Sequence, residues 1–231
     1  RFDRKLDTRS QRVFRRHVID GCQATNLPPS YKYERQHGDE GDGRYIRDGV
    51  SFPKLFAIHT ANQAHYRAQL IRWMIFNVLV RNYDAHGKNI SFYVGKNGLT
   101  LAPFYDLVNI KAIIDEIEKR QQDAPIDQHY AMSMGEYESG TAGNFSEPIT
   151  AYMLADMAEE FGFSPARMQL LAQQTIDAVN KGISSARAAT VDQDISTAEL
   201  AHVDHCIAII QQASAQLTEQ IALIPEMAKR L

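Results

Sequence analysis

The sequence predicts a mainly α-helical protein with one small β-hairpin, and three observations lead to this fold class. Two short runs, Ile90–Val94 and Leu99–Ala102, flank Gly95-Lys96-Asn97-Gly98, whose Asn-Gly pair is a strong hairpin marker. No repeat of 20–50 residues is visible, so we expect a single domain over residues 1–231. Elsewhere apolar residues recur at helical spacing, which predicts helices at about 8–25, 60–82, 107–120, 147–162, 165–189 and 196–223.

The helix expected at 60–82 has the clearest pattern. Its second half, Leu70–Val80, is apolar on nearly all sides, with Arg72 and Asn77 as the polar exceptions. A helix of this kind lies in the interior of a protein. We therefore expect it at the centre of the domain, and we expect the helices of about 147–224 to form a packed helical bundle.

Composition and charge exclude several classes of protein. Of the 231 residues, 44% are hydrophobic and 23% are charged, which is typical of a globular protein and not of a disordered one. The formal net charge is −3, so no overall basic field attracts nucleic acid or a membrane. The longest dense apolar run, Trp73–Val80, is far shorter than the roughly 20 residues of a membrane span.

The two cysteines, Cys22 and Cys206, lie far apart in the sequence. Neither belongs to a C-x-x-C or Cys/His zinc-binding pattern, and two thiols cannot form a disulfide framework. We therefore expect them to be small buried side chains of a protein in the reducing cytoplasm.

The residues with the clearest chemical meaning lie between the buried helix and the hairpin, in the segment Asn82-Tyr83-Asp84-Ala85-His86-Gly87-Lys88-Asn89. Phosphoryl transfer requires a carboxylate near the attacking hydroxyl group and oxygen ligands that hold Mg²⁺ against the phosphates. In protein kinases, four residues separate the aspartate of the catalytic loop from a metal-binding asparagine. Asp84 and Asn89 have this separation.

The geometry of the hairpin offers a test of this interpretation. If Asn97-Gly98 forms a two-residue turn, continuation of the strand register places Asn89 opposite Asp106. Directly opposed residues of an antiparallel pair point to the same face, with Cβ atoms about 5 Å apart. An amide oxygen and a carboxylate in those positions can share one Mg²⁺. A four-residue turn shifts the register and places Asn89 opposite Phe104.

Each of these residues also has a purely structural interpretation. Asp84 and Asn89 can stabilise turns, and Asp106 can cap the helix that follows it. His86 can be a packed histidine, and Lys88 can be a solvated charge. The combination favours a function, because these residue types occur at fixed spacing between a buried helix and a hairpin that returns an aspartate.

Several segments resemble one known family, the HipA-like bacterial serine/threonine protein kinases. Asn82–Ser91 reads N-x-D-x-H-x-K-N-I-S and resembles the catalytic loop of these kinases, and Leu101–Asp106 is similar to their L-x-P-x-Y-D metal motif. Arg1–Arg4 resembles the hinge that ends the N-terminal lobe. Gly21–Glu34 and Ala131–Gly135 resemble further segments of the family.

The resemblance implies a protein-kinase-like C-terminal lobe with ATP and Mg²⁺ as cofactors. Carried over residue by residue, it makes Asp84 the base that accepts the proton of a substrate serine, and it makes Asn89 and Asp106 the magnesium ligands. The ATP-site residues that the resemblance implies are Phe2 in the adenine hinge, His86, Gly87, Lys88, Asn89, Tyr105 and Asp106.

The resemblance also implies partners. Relatives are toxins of toxin–antitoxin pairs, so the expected partners are a small DNA-binding antitoxin and a protein substrate, such as an aminoacyl-tRNA synthetase or another translation factor. The loop Glu136–Ser146 lacks the lysines that some relatives present toward DNA, which argues against direct contact with nucleic acid.

The sequence departs from a complete kinase because it begins at the presumed hinge and contains no glycine-rich phosphate motif. We therefore expect that the N-terminal lobe is absent from this chain and that the isolated chain binds ATP weakly, with little turnover. Two alternatives stay open, a lipid or small-molecule phosphotransferase with the same Asp–Asn spacing and a noncatalytic partner-binding remnant of a kinase. A metal hydrolase is the weakest alternative, because His59, His65 and His86 lack zincin spacing.

Overall fold

The computed structural model describes residues 2–38, 40–120, 126, 128–137, 143–193 and 195–231. Its internal contacts divide the chain into two compact units, each assembled from segments that are distant in sequence. The first unit comprises Arg1–Leu70, Ala85–Asp106 and Ala131–Ser133, and the second comprises Ile71–Asp84, Leu107–Tyr130 and Met134–Leu231. The single functional domain over residues 1–231 stays a prediction.

The first unit contains the described strands, and the pairings of these strands with one another are antiparallel. Strands β1 and β2 form a two-stranded ribbon, and β3, β4 and β5 form a three-stranded sheet in that order. Short 3-10 turns lie at Pro29–Tyr31, Gly41–Tyr45 and Gly87–Asn89. The elements of this unit are β1 (Arg4–Asp7), β2 (Arg12–Arg15), β3 (Val18–Asp20), α1 (Gly21–Ala24), α2 (Phe52–Phe56), β4 (Ser91–Gly95) and β5 (Gly98–Leu101).

The helix predicted at 8–25 is wrong, because most of this segment forms β2, β3 and the single turn of α1. Val18 and Ile19 pair with residues of β4, a partner that lies more than 70 residues away in sequence. Val13 and Phe14 lie in the ribbon and are more than half exposed, so no continuous apolar face is buried here. Cross-strand pairing has therefore overridden the local helical spacing.

The hairpin predicted around Asn97 is confirmed as β4–β5. Its turn is Lys96-Asn97, and its register is the second of the two considered, the one that places Phe104 opposite Asn89. Gly98 follows the turn with a φ of 103°, a left-handed conformation that glycine adopts without steric cost. The register is consequently shifted by two residues from the one that an Asn97-Gly98 turn gives.

The second unit contains the long helices, and the helices predicted beyond residue 100 are confirmed. Helix α3 (Gln63–Leu79) runs from the first unit into the second. It is followed by α4 (Ile110–Arg120), α5 (Ala151–Glu160), α6 (Pro165–Val191), α7 (Thr197–Ala222) and α8 (Ile224–Met227). Helices α5 to α8 contact one another, and α4 packs against α7. No helix among the described residues is both long enough and apolar enough to cross a membrane.

The central position predicted for the helix at 60–82 is confirmed by the burial of α3. Within the second unit, Ile71, Ile75 and Leu79 are fully buried at four-residue spacing. The two polar residues are accommodated locally. The amide of Asn77 donates to the carbonyl oxygen of Trp73 at 2.8 Å, and the guanidinium of Arg72 donates to a glutamine of α6 at 3.0 Å.

We predict that Ile71→Ala lowers the free energy of unfolding by about 2–5 kcal/mol, because it removes buried apolar contacts and leaves a cavity. Ile113→Ala is the matched control, since Ile113 lies on α4 with 42% of its surface exposed. The control should change the free energy of unfolding by no more than about 0.5 kcal/mol. Urea denaturation measures both values, and equal losses would contradict the central role of α3.

Candidate functional site

The candidate residues fall in both units, and the second unit contains Asp84. Asn82 fixes the backbone in front of it. The N–H of Asn82 donates to the carbonyl oxygen of Asn77 and its side-chain amide donates to Oδ1 of Asn77, both at 2.9 Å. Oδ1 of Asn82 accepts from the N–H of Asp84 at 3.3 Å. As a result, the exposed carboxylate of Asp84 stands on a backbone turn that two buried asparagines hold.

Arg81 anchors the start of the same loop. Its backbone has a left-handed φ of 50°, which ends the helical path of α3. Its guanidinium is 11% exposed, forms an ion pair with Glu147 and donates to Oε1 of Gln216 at 2.8 Å. The hydroxyl of Tyr130 also donates to Glu147, and burial raises the pKa of Tyr130, so this phenol stays a donor. The loop is thus tied to the rest of the second unit by a mostly buried charge pair.

In the first unit, Asn89 closes the 3-10 turn that follows. Its Oδ1 accepts from the backbone N–H of His86, and its own N–H donates to the carbonyl oxygen of His86, both at 2.9 Å. Asn89 is 3% exposed. The first of these bonds holds the side-chain amide in one orientation, with Nδ2 left to reach another part of the chain.

That other part is Asp106. Nδ2 of Asn89 lies 2.5 Å from Oδ2 of Asp106, so the structure brings together the two side chains that the sequence selected as metal ligands. The route is not the predicted one. The observed register, extended beyond the strands, places Phe104 opposite Asn89, and β5 ends at Leu101. Asp106 reaches Asn89 from beyond the strand, with a left-handed φ of 57°.

The capping interpretation of Asp106 is not what the structure shows. Helix α4 begins at Ile110, and Oδ1 of Asn109 accepts from the N–H of Ala112 at 2.9 Å. Asn109 therefore caps this helix. The carboxylate of Asp106 is exposed and contacts the Asn89 amide instead.

Tyr105 and Phe2 lie beside this turn. The hydroxyl of Tyr105 donates to the carbonyl oxygen of Lys88 and lies 2.9 Å from Oγ of Ser91. The rings of Phe2 and Tyr105 stack with centroids 5.6 Å apart, and the hydroxyl of Tyr93 donates to the carbonyl oxygen of Phe2 at 2.9 Å. The structure therefore brings the residue predicted for the adenine hinge next to the predicted ATP-site tyrosine.

Lys88 is exposed at the edge of the same turn. Its Nζ lies 3.2 Å from Oδ2 of Asp20, the residue that caps α1. The hydrogen bond that Lys88 donates to Asp20 and the charge of that carboxylate raise the pKa of Lys88, so the lysine is charged at neutral pH. In this arrangement the ammonium group is held by Asp20.

Close packing around Gly87 is a feature that the sequence did not reveal. The N–H of Gly87 donates to the carbonyl oxygen of Lys32 at 2.9 Å. A Cβ atom at this position would lie 2.6 Å from a methyl carbon of Val50, which is too close for any side chain. The neighbouring His86 ring packs edge-on against Tyr33, with centroids 5.1 Å apart. Segments far upstream therefore set the position of the turn.

Sequence reasoning also missed a buried network around Glu34. This side chain is fully buried and accepts from Nε of Arg47 at 2.6 Å and from the N–H of Ser133 at 2.7 Å. Its backbone N–H donates to the carbonyl oxygen of Ala131 at 3.1 Å. The network joins two segments, Gly21–Glu34 and Ala131–Gly135. Both resemble segments of the family, and the resemblance implied no role for either. The burial of Glu34 is not visible from the sequence, because its partners Arg47 and Ser133 are not its neighbours in the chain.

The carboxylate of Asp106 fits Mg²⁺ by its chemistry, whereas Asn89 turns its Nδ2 toward that carboxylate and could offer the metal only the second lone pair of Oδ1. Mg²⁺ binds oxygen ligands, and it commonly uses one or two protein carboxylates together with substrate phosphates and water. A carboxylate has about four lone-pair sites, so Asp106 can contact the Asn89 amide and a cation at the same time. These are the two side chains that could hold the metal, and that role stays a prediction.

Known proteins that resemble this chain identify its family. Residues 1–183 match the family model of the HipA-like C-terminal domain, so the chain belongs to this family. The resemblance noted in the catalytic loop and the metal motif is confirmed.

Individual relatives follow from the same comparison. Over 112 residues the chain is 44% identical to the serine/threonine-protein kinase toxin HipA of Shewanella oneidensis, a match that covers 48% of this chain and 26% of the relative. Over 118 residues it is 35% identical to a putative kinase, Y4mE, of Sinorhizobium fredii, covering 50% of this chain and 25% of that protein. These matches thus span about a quarter of the length of each curated relative.

A solved structure supports the same assignment over the whole chain. It is the complex of HipA, HipB and operator DNA from the toxin–antitoxin system of Shewanella oneidensis. The matched chain superposes with a TM-score of 0.77 and 29% identity, over 99% of this chain and 49% of that one. This chain therefore corresponds to about half of the solved relative.

We predict that Gly87→Ala lowers the free energy of unfolding by about 1–3 kcal/mol, because the added methyl group overlaps Val50. Gly182→Ala is the matched control. A Cβ at Gly182 meets nothing within 4 Å, and alanine should stabilise this position of α6 by up to about 1 kcal/mol.

The double variant Gly87→Ala/Val50→Ala tests the cause. If the overlap is the cause, the double variant should be more stable than the sum of the two single losses predicts. Chemical denaturation of the four proteins gives this coupling energy, and strict additivity would contradict the packing argument.

Proposed function

We propose that this chain is the ATP- and magnesium-handling C-terminal lobe of a HipA-like serine/threonine protein kinase, which transfers the γ-phosphate of ATP to a protein serine. The observation that carries the proposal is the 2.5 Å contact between Asn89 and Asp106 in a member of a family whose relatives are named kinases. The proposal extends to the biological role of a toxin in a toxin–antitoxin pair.

The catalytic role in this proposal belongs to Asp84. A carboxylate near the acceptor hydroxyl orients it and accepts its proton as the phosphorus–oxygen bond forms. The exposure of Asp84 leaves it accessible to an acceptor, and its hydrogen bond to Asn82 restricts its backbone. Restriction of this kind matters because catalysis of phosphoryl transfer is mostly positioning and electrostatic stabilisation.

Asn89 and Asp106 have the metal-binding role. When bound, Mg²⁺ would neutralise charge on the phosphates. The bond from the His86 N–H holds the Asn89 amide in place before any ligand arrives. The Asp106 carboxylate, which is exposed, can meet a nucleotide from the solvent side.

The remaining ATP-site residues divide into two groups. Phe2 and Tyr105 offer stacked aromatic faces, a suitable surface for a planar adenine base. His86, Gly87 and Lys88 belong to the turn that Asn89 closes, and the tight packing of Gly87 sets the position of their backbone. In this proposal Lys88 would exchange its Asp20 partner for a phosphate group.

The partners in this proposal come from the relatives. The solved relative is a complex of HipA with HipB and operator DNA, and we propose a small antitoxin as the partner of this chain as well. A protein serine is the proposed acceptor, and its identity stays a prediction, as does a cytoplasmic location. No observation favours the lipid or small-molecule phosphotransferase or the noncatalytic remnant over the protein kinase.

We predict that Asp106→Asn weakens binding of Mn²⁺–ADP to the chain by at least about tenfold, because a charged oxygen ligand becomes neutral. Mn²⁺ replaces Mg²⁺ as the probe, and electron paramagnetic resonance reports its binding directly. Asp192→Asn, an exposed aspartate at the end of α6, is the control and should leave the affinity unchanged. Equal affinities of the two variants would show that Asp106 is not a ligand.

We predict a different result for Asp84→Asn. Affinity for Mn²⁺–ADP should stay within about threefold of the wild type, whereas phosphate transfer by the full-length natural protein should fall by about 10²–10⁴. Transfer of labelled phosphate from ATP to serine-containing peptides measures the second quantity. Unchanged transfer would remove the catalytic role of Asp84 and favour the noncatalytic alternative.

A further inference from the structure

A cleft of about 560 Å³ opens in the second unit between α4 and α7. Its volume lies within the range of roughly 300–1,000 Å³ that is typical of ligand sites. Residues of both helices line this α4–α7 cleft, together with Arg81 and Tyr83 from the loop that follows α3.

The position of the α4–α7 cleft relates it to the proposed chemistry. Tyr83 lines the cleft, and the next residue in the chain is the exposed Asp84. Consecutive Cα atoms are about 3.8 Å apart. A ligand that fills the cleft therefore contacts the residue that precedes the proposed base in the chain.

The charged groups of the cleft are paired with one another. Asp115 forms an ion pair with Lys111 and lies 2.8 Å from Nε2 of His205, and Arg81 pairs with Glu147. Burial alone would raise the pKa of Asp115, but the hydrogen bonds from Lys111 and His205 outweigh it and lower this pKa. The carboxylate therefore stays ionised near neutral pH and keeps its partners. Each cationic side chain among these lining residues already has a carboxylate partner, so an anionic ligand would have to displace that partner.

The cleft instead presents side-chain amides. Gln212 and Gln216 lie one turn apart on α7, and Gln128 lines the cleft from the loop that precedes Tyr130. Oε1 of Gln216 accepts from Arg81, which orients its NH₂ group. The side-chain amides of Gln128 and Gln212 have no hydrogen-bond partner within the described part of the chain. A glutamine amide offers two N–H donors and one carbonyl acceptor. It can therefore form hydrogen bonds with the carbonyl and N–H groups of a peptide backbone.

Apolar surface is also available between the amides. Ala208 and Ile209 of α7 contribute to the same wall. Alternation of amide groups with small apolar surface suits a polypeptide, whose backbone and side chains present both.

We propose that the α4–α7 cleft binds an unfolded polypeptide segment of the acceptor and so presents its serine to Asp84. This inference rests on the proposed function and names the surface that selects a protein over a lipid or a small molecule. The amides of Gln128, Gln212 and Gln216 bind the backbone of the segment.

The test compares two neighbouring glutamines of α7. Gln212→Trp places a large side chain in the cleft, whereas Gln211→Trp is an exposed control outside the residues that line it. The probe is a pool of short biotinylated peptides with a central serine and random flanking residues, and the bound fraction is measured with the 231-residue chain. We expect Gln212→Trp to lower the bound fraction at least about tenfold and Gln211→Trp to change it less than about twofold.

Urea denaturation shows whether both variants are folded. Gln128→Ala is a second, smaller change in the same cleft, and it should also lower peptide binding. It replaces Gln212→Trp as the test if that variant is unstable. Equal peptide binding by Gln211→Trp and Gln212→Trp, or no binding by the wild type, would overturn the inference.

Binding of Mn²⁺–ADP to the same proteins separates this inference from the proposed function. If peptide binding depends on Gln212 but the full-length natural protein does not bind Mn²⁺–ADP, the peptide site is supported and the kinase assignment is rejected. If the protein binds Mn²⁺–ADP but its peptide binding does not depend on Gln212, the kinase assignment is supported and the peptide site is rejected. Asp106→Asn should lose the metal–nucleotide complex and keep the peptides.

Discussion

The candidate metal-binding turn depends on the hydrogen bonds of the Asn89 side chain. Its Oδ1 accepts from the N–H of His86 and so closes the turn, and its Nδ2 donates to Oδ2 of Asp106. Because Asn89 is almost fully buried, replacing it by an apolar residue would leave the His86 N–H without its partner, at a cost of about 1–3 kcal/mol. The same group therefore supports the local fold and sets the position of the proposed metal ligands.

The buried carboxylate of Glu34 helps to fix the backbone around this turn. Glu34 is compensated by Arg47 and by Ser133, as a buried carboxylate must be. Its backbone carbonyl accepts from Gly49, and the next residue, Val50, packs against Gly87. A network that carries no proposed chemistry thus positions the backbone of the proposed ATP site.

In the second unit, the loop after α3 has a different kind of support. Asn77 and Asn82 hold the backbone ahead of Asp84 by neutral hydrogen bonds, and Arg81 holds the loop to Glu147 by charge. The proposed base is exposed on a restrained backbone, which combines access for an acceptor with little freedom to move away. The α4–α7 cleft begins at the same loop, so binding of a polypeptide and positioning of the base would share Arg81.

The sequence by itself determined the long helices, the hairpin and the family resemblance of Asn82–Ser91, because helical spacing, turn residues and motif spacing are local properties of the chain. Only the tertiary structure decided that Val18 and Ile19 form a strand, since their partners in β4 are distant in sequence. It also decided the hairpin register and the approach of Asp106 to Asn89, which depends on backbone conformation beyond β5. Contacts between distant segments, such as the Glu34 network, have no local pattern, because burial and pairing arise only when the chain has folded.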